Sequence, residues 1–320
     1  MINNAWYDYF IEILSAKVSK RSQLVEQLMD LLSIEREAVY RRLRKEVLFS
    51  IYEIVKIAVT WNISLDEITN LNSGSFTFVM NPINYFEPSE EEFEVVRNRI
   101  RRLEHLMASP DSECMEICNK MPRSITAISN DLYRFDIFRW TYQYGNREED
   151  ALFSQTQMSE QFKMEMAYYY QLIKHVSNMS FIWDQMIFDY WVRDIQYFHS
   201  ILLITDQEKE LLRKELLTLI DYWSEVAKKG YYPETKNRVN IYISKVHVDT
   251  NYSYFYTDKL KISRIHAFDR CDVFSYDTRL ITDFRTWMKL KKRTSVKISE
   301  VDEKSRTEFF KRQQKLIEDM

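Results

Sequence analysis

Between residues 22 and 68 the apolar positions fall at the spacing of short helices laid end to end. The first of these helices is predicted over 22–32. Three residues later a second begins, with Val39 and Leu43 one turn apart on its apolar side and a mainly basic and aromatic opposite side. Apolar residues recur over 50–58 and again over 63–68. Upstream, Trp6, Tyr9, Phe10, Ile13 and Leu14 form a helical stripe over 5–18, which predicts a helix packed across the others. Two helices joined by a short turn and backed by neighbours make a helix-turn-helix layout.

Beyond Asn70 the pattern breaks into turn residues, a β-rich Phe76-Thr77-Phe78-Val79-Met80, and prolines at 82 and 88, the best domain boundary in the chain. Ser89 and Glu92 then make a capping box for a helix reaching about Ala108. Its Phe93, Val96, Ile100, Leu103 and Met107 lie on a/d spacing, which makes this face a candidate dimer contact. A strand is predicted over 125–128, helices over 132–144 (ended by Gly145) and 159–175, and an aromatic helix over 185–203. Thr205 with Glu208 caps a helix carrying Leu212, Leu216, Leu219, Trp223 and Val226 that stops at Gly230. After Asn237 the period changes to two: segments 239–247, 252–256, 261–266 and 272–275 predict an antiparallel meander, and helices over 278–290 and 299–317 close the chain. The expected fold class is α+β, mostly helical: an all-α helix-turn-helix bundle over 1–72, a linker over 73–88, and a larger α+β domain over 89–320 with an antiparallel sheet.

Composition narrows the functional classes. With 320 residues, 45% hydrophobic and 15% aromatic, and only three glycines and five prolines, the chain has the material for two ordered, helix-rich domains. No run is apolar for long enough to span a bilayer, and the first residues lack a basic segment followed by an apolar core, so a cytoplasmic location without membrane attachment is expected. Cys114, Cys118 and Cys271 are odd in number and lack zinc spacing, and are read as reduced thiols. Glycines only at 74, 145 and 230 exclude a glycine-rich phosphate loop. The net charge of −3 gives no global pull toward nucleic acid, and residues 1–75 carry nine Lys and Arg against ten Asp and Glu. Any such case rests on local placement, and Arg36, Arg41, Arg42, Arg44 and Lys45 do fall within ten residues.

That basic segment, with the apolar spacing around it, resembles the DNA-binding module of lambda-repressor/Cro-like (XRE-type) transcriptional regulators over roughly residues 5 to 70. Leu28, Leu32, Ile34, Val39 and Leu43 take its apolar places, and Ile54, Ile57, Ala58 and Leu65-Asp66-Glu67-Ile68 continue it. Met29 stands where that family has alanine, Ser33 where it has the turn glycine, and Lys45 where a glycine ends the recognition helix. At about 100° per residue, Arg36, Glu37, Tyr40, Arg41 and Arg44 share a stripe of roughly 140°, with Val39 outside it on the core side. The resemblance implies that this stripe faces a major groove of double-stranded DNA, with Arg36 and Arg41 on guanine edges and Tyr40, Arg44 and Lys45 on phosphates. One such module reads few base pairs, so a homodimer is expected.

Chemistry elsewhere is sparse. No histidine pairing suits a metal, and no cofactor motif or catalytic motif is present, so no enzyme activity is expected. His247 with Asp249, and His266 with Asp269, put an acid near an imidazole on adjacent strands, an arrangement open to acid-base work and equally ordinary at strand ends. The basic run Lys289, Lys291, Lys292 and Arg293 reads as a solvated face that is also suited to phosphate contacts. Trp183, Phe188, Trp191, Tyr197, Tyr254 and Tyr256 are the candidate lining of a pocket for a planar or apolar small-molecule effector, with Asp184, Asp189 or His247 as polar anchors. The competing role for the whole is a protein-interaction module whose helical bundle does not bind DNA.

Overall fold

The computed structural model describes residues 5–18, 20–61, 63, 65, 68, 76–80, 89–107, 109–126, 129–144, 151–157, 159–268 and 271–320. The chain divides into two compact units, Met1–Thr77 and Phe78–Met320. Expectations placed on residues 66–67, 70–75, 82, 88, 108, 128, 145 and 269 lie outside the described residues.

Unit 1 holds α1 (Ala5–Ala16), α2 (Arg21–Leu32), α3 (Arg36–Leu43) and α4 (Ile51–Trp61). Its core gathers Tyr7, Phe10 and Leu14 of α1, Leu24, Val25 and Leu28 of α2, Val39 and Leu43 of α3, and Phe49, Ile57 and Ala58. The sequence stripe on α1 omitted Tyr7, which is the residue that pins the loop after α3. Its hydroxyl accepts from the Phe49 N–H at 3.0 Å and donates to the Arg42 carbonyl at 3.3 Å. A second clamp lies beside it: the Glu53 carboxylate takes Arg42 in a bidentate pair (2.9 and 3.2 Å) and the Ser50 N–H at 2.7 Å, while Ser50 Oγ accepts from the Glu53 N–H. One carboxylate therefore caps α4 and ties it to α3. Burial works against its charge, but the Ser50 and Arg42 donors prevail and hold it below the usual glutamate range.

The two positions where the resembled family carries glycine both adopt the left-handed backbone here, Ser33 at φ 55° and Lys45 at φ 66°. Ser33 ends α2 with its N–H on the Met29 carbonyl, and Glu46 N–H closes onto the Arg41 carbonyl at 2.9 Å. The turns thus keep glycine's geometry with residues that carry a Cβ, at a cost of about 1–2 kcal/mol each.

Unit 2 is a mostly helical α+β structure built on an eight-stranded sheet. Its elements are β1 (Val79–Met80), α5 (Glu90–Met107), β2 (Glu113–Cys118), α6 (Arg123–Thr126), α7 (Asn130–Tyr144), α8 (Glu160–Ile173), β3 (Asn178–Trp183), α9 (Asp189–Ser200), α10 (Asp206–Lys229), β4 (Arg238–Ser244), β5 (Tyr252–Tyr256), β6 (Lys261–Phe268), β7 (Cys271–Ser275), α11 (Thr278–Leu290), β8 (Ser295–Lys297) and α12 (Glu303–Glu318). The strand order is β1-β7-β6-β5-β2-β3-β4-β8. β5, β6 and β7 form the expected antiparallel meander. β4 does not join it: β4 lies parallel to β3, and β3 parallel to β2, so the sheet is mixed. The helices crossing between these parallel strands pack on one face, where Cys114, Cys118, Met179, Phe181, Trp183, Val239, Ile241 and Phe255 enter the main core. On the other face Met115, Ile117, Ile182 and Tyr254 meet Met288 of α11.

Several expectations are corrected. Residues 125–126, expected in a strand, belong to α6, because Pro122 starts a helical turn by accepting from Ile125 and Thr126. The aromatic run expected as one helix from 185 begins earlier as β3 and resumes as α9 only at Asp189. Within the expected linker, Val79 and Met80 pair with β7. The a/d stripe of α5 is no dimer contact: Phe93, Val96, Ile100 and Leu103 are buried in their own unit, Phe93 edge-on to Phe162 of α8 at 5.9 Å. The Ser89–Glu92 box does open α5, the Thr205–Glu208 box opens α10, and Gly230 ends it at φ 74°, where a Cβ would collide with Glu300.

Candidate functional site

On α3 the predicted stripe stands in solvent, while Val39 and Leu43 on the opposite side are buried and Tyr40 packs partly onto the unit 1 core. Each cation of the stripe has an acidic neighbour. Arg36 faces Glu26 at 3.7 Å, Arg41 faces Glu46 at 3.7 Å, Arg44 takes both Glu37 at 2.7 Å and Glu46 at 2.8 Å, and Lys45 pairs with Asp8. Glu46, Glu26 and Asp8 are not apparent in this role from the sequence, since Glu26 and Asp8 come from other helices. All these pairs are solvent-exposed, and such pairs stabilise by only about 0–1 kcal/mol, so a phosphate can displace the carboxylate at little cost. Arg42 is different: with 18% of its side chain exposed and its bidentate bond to Glu53, it is part of the frame rather than the reading face.

The six aromatic residues expected to share a pocket do not come together. Trp183 is fully buried, with Trp223 at 5.4 Å, Phe181 at 5.9 Å and Phe309 at 6.1 Å around it. Phe188 and Trp191 are buried in the same core, Trp191 against Phe135 at 5.5 Å, whereas Tyr197 is 53% exposed. Tyr254 sits on the opposite face of the sheet, because residues 253 and 255 of β5 take the face that Trp183 shares. Its hydroxyl donates to Glu113 at 2.6 Å. The Arg285 guanidinium lies 4.0 Å over the Tyr256 ring, and Arg285 and Lys289 also bind Glu113, so this face is closed by an ion-pair cluster. Lys289 of the basic run is engaged there. Although burial opposes it, the Tyr254, Arg285 and Lys289 donors hold the Glu113 carboxyl below its ordinary value.

The proposed anchors are likewise structural. Asp184 accepts from Met186 N–H at 2.9 Å and Val248 N–H at 3.3 Å, with His247 at 3.8 Å. Asp189 is buried at the start of α9. His247 therefore faces Asp184, and His266 faces Asp272 at 2.9 Å, while Asp269, suggested for it by sequence spacing, lies outside the described residues.

A polar site that the sequence reading did not assemble lies on the main-core face of the sheet. Glu116 of β2, Ser253 of β5 and Arg264 of β6 are successive cross-strand neighbours. The Arg264 guanidinium donates to Ser253 Oγ at 2.6 Å and Glu116 Oε1 at 2.9 Å, with Asp272 of β7 at 3.9 Å. Ser124 Oγ donates to the other Glu116 oxygen at 2.7 Å. Burial opposes the Arg264 charge, but Asp272 and Glu116 outweigh it and hold the guanidinium well above its ordinary value. Over this strip lies a cavity of about 60 Å³, roofed by Arg99 of α5, Arg139 of α7 and Tyr169 of α8, with Asn251 and Lys120 at its edge. Asn251 shapes that edge by accepting from the Asn119 and Lys120 N–H groups and donating to the Lys120 carbonyl. Cys114 and Cys118 flank Glu116, and burial pushes both thiols well above their ordinary value, which removes them as nucleophiles. Among the described residues no group of three or more metal-binding side chains is assembled. No protein family, curated protein or solved structure matches this chain.

Proposed function

We propose that the chain is a sequence-specific DNA-binding transcriptional regulator, not an enzyme, in which unit 1 reads double-stranded DNA through α3 and unit 2 carries the regulatory input. The observation that supports this reading is the division of α3 itself: Val39 and Leu43 are buried, and Arg36, Glu37, Tyr40, Arg41 and Arg44 lie on the open side with Lys45 at its end. Arg36 and Arg41 are assigned to base edges, and Tyr40, Arg44 and Lys45 to phosphates. Among the described residues no helix is long and apolar enough to cross a membrane; a cytoplasmic location belongs to the same proposal.

Arg41→Ala is expected to weaken specific DNA binding by about 1–3 kcal/mol and leave the melting temperature nearly unchanged, since its ion pair with Glu46 is exposed. Selecting duplexes from a random pool and titrating them across salt concentrations checks this. A flat salt response, or an equal loss of folding stability, would overturn it.

Reading a full site calls for a second copy. With the α5 stripe buried, the surface open to that copy is on α4, where Ile51, Val55 and Val59 form an i, i+4, i+8 row with Tyr52 beside it, and Val59 is 77% exposed. Wild-type protein should therefore sediment as a dimer and Val59→Glu as a folded monomer; a variant that stays dimeric places the contact elsewhere. The same row favours the second reading, a protein-interaction module, which a protein bound with no DNA affinity would establish.

A further inference from the structure

The cavity above Arg264 is not isolated. Arg99, Tyr169 and Phe274 also line a second cavity of about 30 Å³, which is apolar, with Leu103 and Leu106 of α5 on one side and Phe255 and Ile262 of the sheet on the other. The two cavities adjoin at Arg99, Tyr169 and Phe274, the first lined largely by charged groups and the second mainly apolar, with Arg102 at its wall bonded to the Tyr276 hydroxyl.

Two of the three arginines around the first chamber are paired with carboxylates. Arg264 is matched by Glu116 and Asp272, and Arg139 by Asp136 at 3.0 Å and Asp194 at 2.5 Å. Arg99 is left with no carboxylate among the described residues; its guanidinium lies over the Phe274 ring at 5.0 Å. Such a contact is worth about 0.5–2 kcal/mol and engages the flat face of the guanidinium, leaving its in-plane N–H donors available to a ligand. Tyr169 stands at the same junction, and its hydroxyl has no hydrogen-bond partner among the described residues. Burial raises its pKa above the ordinary tyrosine value, so it remains a donor at neutral pH. An unneutralised arginine and an unused phenolic donor at the mouth of an apolar chamber suit one class of ligand, an anion with a small apolar body.

We propose that this cleft binds a small organic monocarboxylate, its carboxylate held by Arg99 and Tyr169 and its hydrocarbon part resting against Leu103, Leu106 and Ile262. The proposal deepens the reading of unit 2 as the seat of regulation and rests on it only for the consequence of binding. Binding itself is measured without DNA, so its failure and the failure of DNA recognition are separate results.

The experiment is calorimetric titration of the full chain with acetate, butyrate and butyramide. Butyrate should bind, acetate should bind more weakly by about fourfold for each methylene removed, and butyramide, which has the same shape without the charge, should be at least about tenfold weaker than butyrate. Arg99→Met should reduce butyrate affinity by about tenfold or more. Tyr169→Phe, which removes one oxygen and keeps the ring, should weaken it severalfold. Because Tyr169→Phe preserves the packing, it decides the matter even if Arg99→Met does not fold. Equal binding of butyrate and butyramide, no binding of butyrate to the wild type, or full affinity in Tyr169→Phe would each overturn the proposal.

Discussion

Trp183→Ala should lower the folding stability of unit 2 by about 3–5 kcal/mol and leave unit 1 unaffected. The indole ends β3 with no exposed surface, and it is the hub at which the sheet meets α10 through Trp223 and α12 through Phe309 and Phe310. Removing it vacates a large volume between a strand and two long helices that are themselves locked by other contacts, so the walls cannot close on the void. Denaturant titration followed by far-UV circular dichroism resolves the loss as a shifted midpoint for the larger unit. A change under about 1 kcal/mol would mean that the residue lines an open pocket after all.

Glu116→Ala should be nearly as damaging for an electrostatic reason. Glu116 is 1% exposed and supplies the nearest carboxylate to Arg264, at 2.9 Å, with Asp272 further away at 3.9 Å. Truncation leaves a guanidinium desolvated without its nearest counter-charge and Ser124 without its acceptor, for which about 3–5 kcal/mol is expected. A paired substitution separates charge from volume: Glu116→Leu with Arg264→Met removes both partners and should recover most of the loss. If the single and double variants are equally unstable, the cluster acts through shape and not through charge.

What the sequence revealed follows from how local each signal is. Capping boxes at Ser89–Glu92 and Thr205–Glu208 span three residues and mark their helix starts correctly. The stripe on α3 was legible because one helix and its C-cap residue Arg44 carry all of it, and Val39 and Leu43 are buried as the period requires. β2 escaped notice because Glu113 and Glu116 interrupt an otherwise apolar run, and their partners, Arg285 and Arg264, lie about 150 or more residues away. β3 escaped because a strand buried on both faces has no alternation, and its aromatics merged with those of α9. The cleft was not readable at all, since its walls come from α5, α7 and α8, from β5, β6 and β7, and from several loops between them. His266 illustrates the difficulty in small: sequence distance favoured Asp269, but the hairpin brings Asp272 across from it, just before a bulge between His266 and Phe268.

The charge at Glu116 also bears on how the sheet finds a single arrangement. β2 lies at the middle of the sheet between a parallel and an antiparallel neighbour, with Met115 and Ile117 buried on one face and Cys114 and Cys118 on the other. Apolar side chains on both faces would tolerate a strand sliding by one residue, because each would exchange one greasy surface for another. Glu116 does not tolerate it. A one-residue slip would carry its carboxylate to the side of Tyr254 and Met288 and strand Arg264 on the other. The buried ion pair thus acts as an index mark: whatever it contributes to stability, it makes the misaligned sheets costly and leaves the chain one register in which to fold.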